Sequence, residues 1–501
     1  MQDTEFGAGE HRADQPGTIP RSFRLLRIVR ESVAESLLPE LQSDGARDVA
    51  KRIDMVLADL IVREERTPAL LVEQIKTGEA LVRQGRMVVG EQAPIQADAG
   101  ESSTEQSFAI LSDRRGRIAA ALEALIERSS LLASGSARAF EDAAAAWERS
   151  FLDQQTAPPD EMKAEVAPLP PVTASAFQAY LAETDFLPGS STVKSVETVA
   201  GGYSKGIFRF AVENSELGPM ALVMRRNQGE PIDPTGCFLQ DVEFTITRAL
   251  HRAGVRLPRP WHFEPAGGRF GGEVTIMDHA PGRLYGDVLS AAPDLSDEML
   301  RDLASVLAHL HRLRLTDLEP EISVLQAGET VETIAQANHA MLDHHERYWR
   351  KNRLVPSPLV ARAFGWLRRH LPTNDGPVRV IHGDYGLNNI LFDKGRVSAV
   401  LDWETCQLGD PAYELAYLRA PLETRSLWEP FLAAYREAGG QPATEESLAF
   451  HRAARWLRNA AFSTVSSGRF DAGTWNSLPV ATLAVSVRPA FMKRADDFAR
   501  D

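Results

Sequence analysis

Cysteine is nearly missing from this 501-residue chain: there are two, Cys237 and Cys406, far apart in sequence. That scarcity excludes a disulfide framework and a cysteine-based zinc site. Long hydrophobic runs are also missing. The longest weakly polar stretch, Ser477 to Val487, is too short to span a bilayer. Met1 to Gly17 is polar and acidic, with no apolar signal core, and is expected to be disordered. An excess of basic charge is lacking as well. The net charge is −14, of which residues 1–156 carry −7 and the remainder −7. Acidity spread over both parts argues against nucleic acid as the main partner. These absences together predict a soluble, reducing, cytoplasmic protein that binds neither nucleic acid nor membrane.

What is present is enough apolar material, 44%, for more than one core. Residues 18–155 read as an all-α domain. Leu26, Val29, Val33 and Leu37 share a helical face, as do Ile53, Val56, Leu57 and Leu60. Nothing there is catalytic in type, so an accessory role follows, with a protein partner or a second copy as what it would engage. Residues 156–171 hold five prolines. Proline removes a backbone donor and disfavours helix in the residue before it, so this stretch is the expected linker. On that division residues 172–501 should fold alone.

Beyond the linker the texture changes. Short β-like runs at Ser195–Ala200, Ile207–Val212, Ala221–Arg225 and Val274–His279 surround a helix carrying Glu243. From residue 282 the chain turns helical, with Ser296 placed to cap and Leu303, Val306, Leu307 and Leu310 as a buried stripe. The predicted fold class is α+β: a small β-rich lobe, 172–281, and a larger helical lobe, 282–501, preceded by the helical domain.

The chemistry concentrates in Val378–Glu404. Val378–Ile381 reads as a buried strand delivering His382-Gly383-Asp384 to a loop. Ile390–Phe392 and Val397–Leu401 read as a hairpin that brings Asn389 and Asp402 to one end. Phosphoryl transfer needs this set: a carboxylate to accept the attacking hydroxyl's proton, and hard oxygen ligands to hold Mg²⁺ against phosphates. Asp384 lies five residues before Asn389, the base-to-asparagine spacing of kinase catalytic loops. Asp384 is therefore the candidate base and His382 the residue that orients its loop. Asn389 and Asp402 are the candidate metal ligands. Asp410, in Gly409-Asp410-Pro411, reads as a brace or helix cap.

His-Gly-Asp-x4-Asn, followed by Leu-Asp-Trp-Glu and Gly-Asp-Pro, resembles the aminoglycoside phosphotransferase/choline kinase superfamily. The fuller string through Ala-Tyr-Glu-Leu-Ala looks closest to the kinase-like domain associated with acyl-CoA dehydrogenases. The resemblance implies a two-lobed protein-kinase-like fold, ATP and Mg²⁺, and a small-molecule hydroxyl as acceptor, with a hydroxyacyl-CoA or similar metabolite among the candidates. It implies that Gly201, Gly202 and Ser204 form the phosphate loop. It places Arg225 where kinases carry a strand lysine, with Glu243 as its partner. It makes Ile276–Gly282, including Met277 and His279, the hinge that meets adenine. Arg225 departs from the general kinase pattern and keeps an alternative open: a non-catalytic nucleotide-binding module that recruits a partner through its N-terminal helices. The basic cluster Arg347, Arg350, Lys351 and Arg353, near Tyr348 and Trp349, reads either as a solvated helix face or as a site for a phosphorylated carrier.

Overall fold

The computed structural model describes residues 26, 29–30, 33, 44–91, 108–132, 134–155, 169–199, 205–227, 229, 231–285, 295–326, 331–353, 356–471 and 487–499. The expected disordered residues 1–17 and most of the proline-rich linker lie outside that set. No helix among the described residues is long and apolar enough to cross a membrane.

Three helices, α1 (Asp44–Val88), α2 (Phe108–Ser129) and α3 (Gly135–Gln155), form the N-terminal bundle. Its core includes Leu71, Ile75, Leu122, Ile126 and Phe140, all nearly inaccessible to solvent. Helix α4 (Ala174–Glu183) follows, capped by Thr173 Oγ1, which accepts from the Ala176 N–H. Phe177 of α4 stacks on Phe210, at 3.8 Å between ring centroids, and so packs the helix against the small lobe's sheet. That sheet is antiparallel, with strand order β1 (Ser191–Val199), β2 (Lys205–Asn214), β3 (Gly218–Asn227), β5 (Val274–Asp278), β4 (Pro260–Glu264). Helix α5 (Gln240–Arg252), between β3 and β4, carries Glu243 on its buried face. Strand β4 escaped the sequence reading because proline opens it and it runs for only five residues.

After the two-residue β6 (Arg283–Leu284), the large lobe begins with α6 (Asp297–Arg312). Ser296 caps it as expected, its Oγ accepting from the Met299 N–H at 3.3 Å. Helices α7 (Ile334–Asn352) and α8 (Pro358–Arg369) lead into β7 (Arg379–Ile381), and the hairpin β8 (Ile390–Asp393) and β9 (Arg396–Val400) follows. Strand β10 (Gln407–Gly409) pairs with β7. Helices α9 (Ala412–Glu423), α10 (Trp428–Glu437), α11 (Glu445–Asp471) and α12 (Arg488–Phe498) complete the lobe. The two cysteines, distant in sequence, are free and buried in one apolar cluster that takes residues from both lobes. Burial and the adjacent Cys237 push the Cys406 thiol well up from its ordinary value.

The N-terminal bundle is fastened to the large lobe. Glu148 of α3 is buried and accepts from Ser357 Oγ at 2.7 Å and from the Leu359 N–H at 2.9 Å, capping the start of α8. Arg362, itself buried, pairs with Asp142 at 2.8 Å, and Lys493 with Asp153 at 2.9 Å. Two members of the basic cluster bear on the same seam. Arg350 pairs with Glu127 at 2.7 Å, Arg353 pairs with Glu123, and Tyr348 and Trp349 are core residues. Neither reading of that cluster holds for Arg350 and Arg353: they dock the bundle. Replacing Glu148 by Ala leaves buried donors without their acceptor, a loss of about 3 kcal/mol. The denaturation midpoint of the full chain should fall accordingly, with Glu148→Gln losing less. An unchanged midpoint would show that the seam contributes no stability.

Candidate active site

A cleft of about 760 Å³ opens between the lobes, and Asp384, Asn389, Asp402, Arg225, Glu243, Met277 and His279 all line it. Gly201, Gly202 and Ser204 lie outside the described residues.

The loop that carries Asp384 leaves β7 through Gly383 at φ +80°. A Cβ there would meet Thr405 O at 2.2 Å, so only glycine fits. His382 is fully enclosed. Its Nε2 donates to Leu401 O at 2.8 Å, and its Nδ1 accepts from the Asp384 N–H at 3.1 Å. Burial lowers its pKa, which keeps the ring neutral and suited to this donor–acceptor pair. His382 thus ties the Asp384 loop to Leu401, between the end of β9 and Asp402. Beneath it, buried Glu414 accepts from the His382 and Gly383 N–H groups and bonds His311 on its other oxygen.

The Asp384 carboxylate keeps a quarter of its side-chain surface exposed. Its Oδ2 accepts from Asn389 Nδ2 at 2.8 Å, and its Oδ1 faces Arg458 at 3.4 Å. Arg458 also donates to Gly383 O at 2.6 Å. Burial alone would raise the Asp384 pKa, but Arg458 and Arg455 outweigh it and hold the group below its ordinary range. Tyr417 hydrogen-bonds the same carboxylate. These three side chains come from α9 and α11, and the sequence reading missed them. Arg455 and Arg458 stand three apart on one helical face, a signal that says nothing about what the face meets.

The hairpin does bring Asn389 and Asp402 together: the Leu401 N–H donates to Asn389 O at 2.8 Å. Asp402 sits in the left-handed region at φ 64°, where aspartate is better tolerated than most residues. Its carboxylate accepts from Arg225 at 2.9 Å, and Arg225 also grips Glu243, the partner expected for it. Lys205, read only as part of the glycine-rich run, proves to be buried at the start of β2. It pairs with Glu243 at 3.0 Å and with Glu404 at 3.0 Å. Burial and Arg225 disfavour its charge, yet Glu243 and Glu404 prevail and its pKa is raised. Burial would raise Glu243 too, but the two cations lower it to about 2.

Three carboxylates, Glu243, Asp402 and Glu404, thus face two cations, Arg225 and Lys205, a surplus of one negative charge. Burial and the adjacent Glu404 push Asp402 up to about 7. A carboxylate so disfavoured, 42% exposed to the cleft beside an amide oxygen donor, suits a hard divalent cation. No cluster of three or more His, Cys, Asp or Glu placed to hold a metal occurs among the described residues. A cation here would therefore share its coordination with a ligand's oxygens and water.

At the hinge, the Asp278 N–H donates to Arg259 O and the His279 N–H to Ala221 O, each at 2.9 Å. Those two donors are spent within the sheet. Asp410 lies away from the cleft's lining. It accepts from the Ala412 N–H at 2.9 Å, from His451 at 3.1 Å and from Ser447 at 3.1 Å, bracing α9 against α11. The lining of the cleft also includes the apolar side chains Ile232, Phe238, Phe462, Val487 and Phe491. The residues that α11 and α12 contribute to it include Arg458, Asn459 and Ser463 but no acid.

The sequence profile of the phosphotransferase enzyme family matches residues 199–462. Acyl-CoA dehydrogenase family member 11 of Pongo abelii is 30% identical over 185 residues, covering 35% of this chain and 22% of its own length. The Homo sapiens protein of that name is 28% identical over 228 residues, covering 44% and 28%. Hygromycin-B 4-O-kinase of Escherichia coli is 41% identical over 54 residues, 11% of this chain and 14% of its own. The chain thus spans about a quarter of the length of the dehydrogenase relatives it matches. Among solved structures, macrolide 2'-phosphotransferase MphH from Brachybacterium faecium covers 62% of this chain and 98% of its own, at 19% identity and a TM-score of 0.43.

Proposed function

Because this chain belongs to the phosphotransferase enzyme family, we propose that it is an ATP- and Mg²⁺-dependent phosphotransferase that moves the γ-phosphate to a hydroxyl of a small molecule. One observation carries the reading: Asp384, Asn389, Asp402 and Arg225 converge on a single interlobe cleft. Asp384 accepts the acceptor hydroxyl's proton as the oxygen attacks phosphorus and ADP leaves. Asn389 Nδ2 and Arg458 fix the carboxylate that receives the proton. Asn389 Oδ1 and the Asp402 carboxylate would hold Mg²⁺, which when bound neutralises charge on the β- and γ-phosphates. Arg225, steadied by Glu243, offers its planar fork to the phosphates. Adenine would lie against Met277 and His279, with its backbone donor drawn from beyond His279.

The apolar lining narrows the acceptor class. A polycationic amino sugar needs carboxylates, and among the described residues α11 and α12 supply none to the cleft. An acceptor with an apolar body and an uncharged or anionic head, such as a hydroxy acid or hydroxyacyl thioester, suits Phe238, Phe462 and Phe491 beside Arg458. ATP consumption measured across hydroxy acids, hydroxyacyl thioesters and amino sugars tests this. Turnover confined to amino sugars would contradict it.

A further inference from the structure

Kinases pair one strand cation with one helix glutamate and use that cation on the phosphates. This site has two cations for its one glutamate. Glu243 gives Oε1 to Arg225 and Oε2 to Lys205. Each cation then reaches one of the two carboxylates that flank Trp403: Arg225 takes Asp402 at 2.9 Å and Lys205 takes Glu404 at 3.0 Å. The four pairs close a ring that joins β2, β3 and α5 of the small lobe to the segment after β9 in the large lobe.

The two cations are not equivalent. Arg225 is held by two carboxylates in a planar fork. Lys205 carries an ammonium with three rotatable donors and two partners among the described residues, which leaves one donor. It lines the same cleft as Arg225 and Asp402. Without Lys205, three carboxylates would face a single cation, and the surface would repel a polyphosphate.

We propose that Lys205 is a second phosphate-binding cation of this site, contacting the phosphate chain of a nucleoside di- or triphosphate from β2 while Arg225 does so from β3. The proposal rests on the kinase reading and adds to it a residue at a position the general kinase pattern does not use.

The test is a calorimetric titration of the full chain and its Lys205→Met variant with Mg-ATP, Mg-ADP and adenosine. Loss of one charge-assisted hydrogen bond raises the Kd for both phosphorylated ligands by at least about tenfold and leaves adenosine unchanged. An equal loss for adenosine makes Lys205 a support of the fold only and overturns the proposal, as does an unchanged Kd for Mg-ATP. A second measurement uses the wild-type chain, so it stands even if the variant does not fold. A nucleotide acyl phosphate transfers its acyl group to an amine lying against the phosphates, forming an amide and releasing the nucleotide. Mass spectrometry should find Lys205 acylated, with excess ATP suppressing the label. An unlabelled Lys205 on a chain that binds ATP overturns the proposal alone. A wild-type chain that does not bind Mg-ATP overturns the kinase reading beneath it.

Discussion

Asp384→Asn should lower phosphate transfer to the acceptor by at least about 10²-fold, while Mg-ATP affinity stays within a few-fold of wild type. The substitution keeps the shape of the side chain and an oxygen for Asn389 Nδ2, which now donates to Asp384 Oδ2 at 2.8 Å. What disappears is the negative charge that Arg458 and Arg455 hold in place, and with it the capacity to take a proton. A depressed pKa makes this carboxylate a modest base, so part of its effect comes from orienting the hydroxyl for in-line attack. Single-turnover transfer beside a nucleotide titration separates the outcomes. Transfer within tenfold of wild type would remove Asp384 as base. Loss of nucleotide binding with the fold intact would assign Asp384 to the nucleotide instead.

The second large effect belongs to Asp402. Asp402→Ala should abolish Mg²⁺-dependent nucleotide binding and reduce turnover by at least about 10³-fold, since a ligand to the metal is lost. Ala is poorly suited to the left-handed backbone at this position, φ 64°, and adds local strain on the order of 1 kcal/mol. Asp402→Asn separates the two effects. Asparagine tolerates that backbone and keeps an oxygen, so the chain should retain its stability while Mg²⁺-dependent binding weakens strongly with the lost charge. Wild-type turnover of either variant at ordinary Mg²⁺ would take Asp402 out of the site.

The catalytic segment was legible because it is local. Strand, loop and hairpin run without interruption from Val378 to Glu404, so spacing alone places Asp384, Asn389 and Asp402. Arg225 and Glu243 were reached through the family resemblance, which sets a strand cation against a helix glutamate, and the two do pair. What stayed hidden was tertiary. Tyr417, Arg455 and Arg458 reach Asp384 from helices whose sequence does not say what they face. Lys205 looked like loop because two glycines precede it and strand β2 begins on it. The basic residues of α7 could not reveal their partners, because Glu123 and Glu127 lie on a helix more than two hundred residues earlier. The proline run suggested a linker between two parts, and it could not show that acids of α2 and α3 pair with arginines of α7 and α8.

The central claim is that this cleft transfers phosphate to a hydroxyl. The most direct measurement supplies the full chain with Mg-ATP carrying heavy oxygen in its γ-phosphate, together with a pool of hydroxylated metabolites, and searches for labelled phosphate esters by mass spectrometry. The account predicts a labelled monoester that forms with the wild-type chain and is lost with Asp384→Asn. Binding of Mg-ATP with no ester, and no ADP above the Asp384→Asn background, would contradict it and leave a non-catalytic nucleotide-binding module.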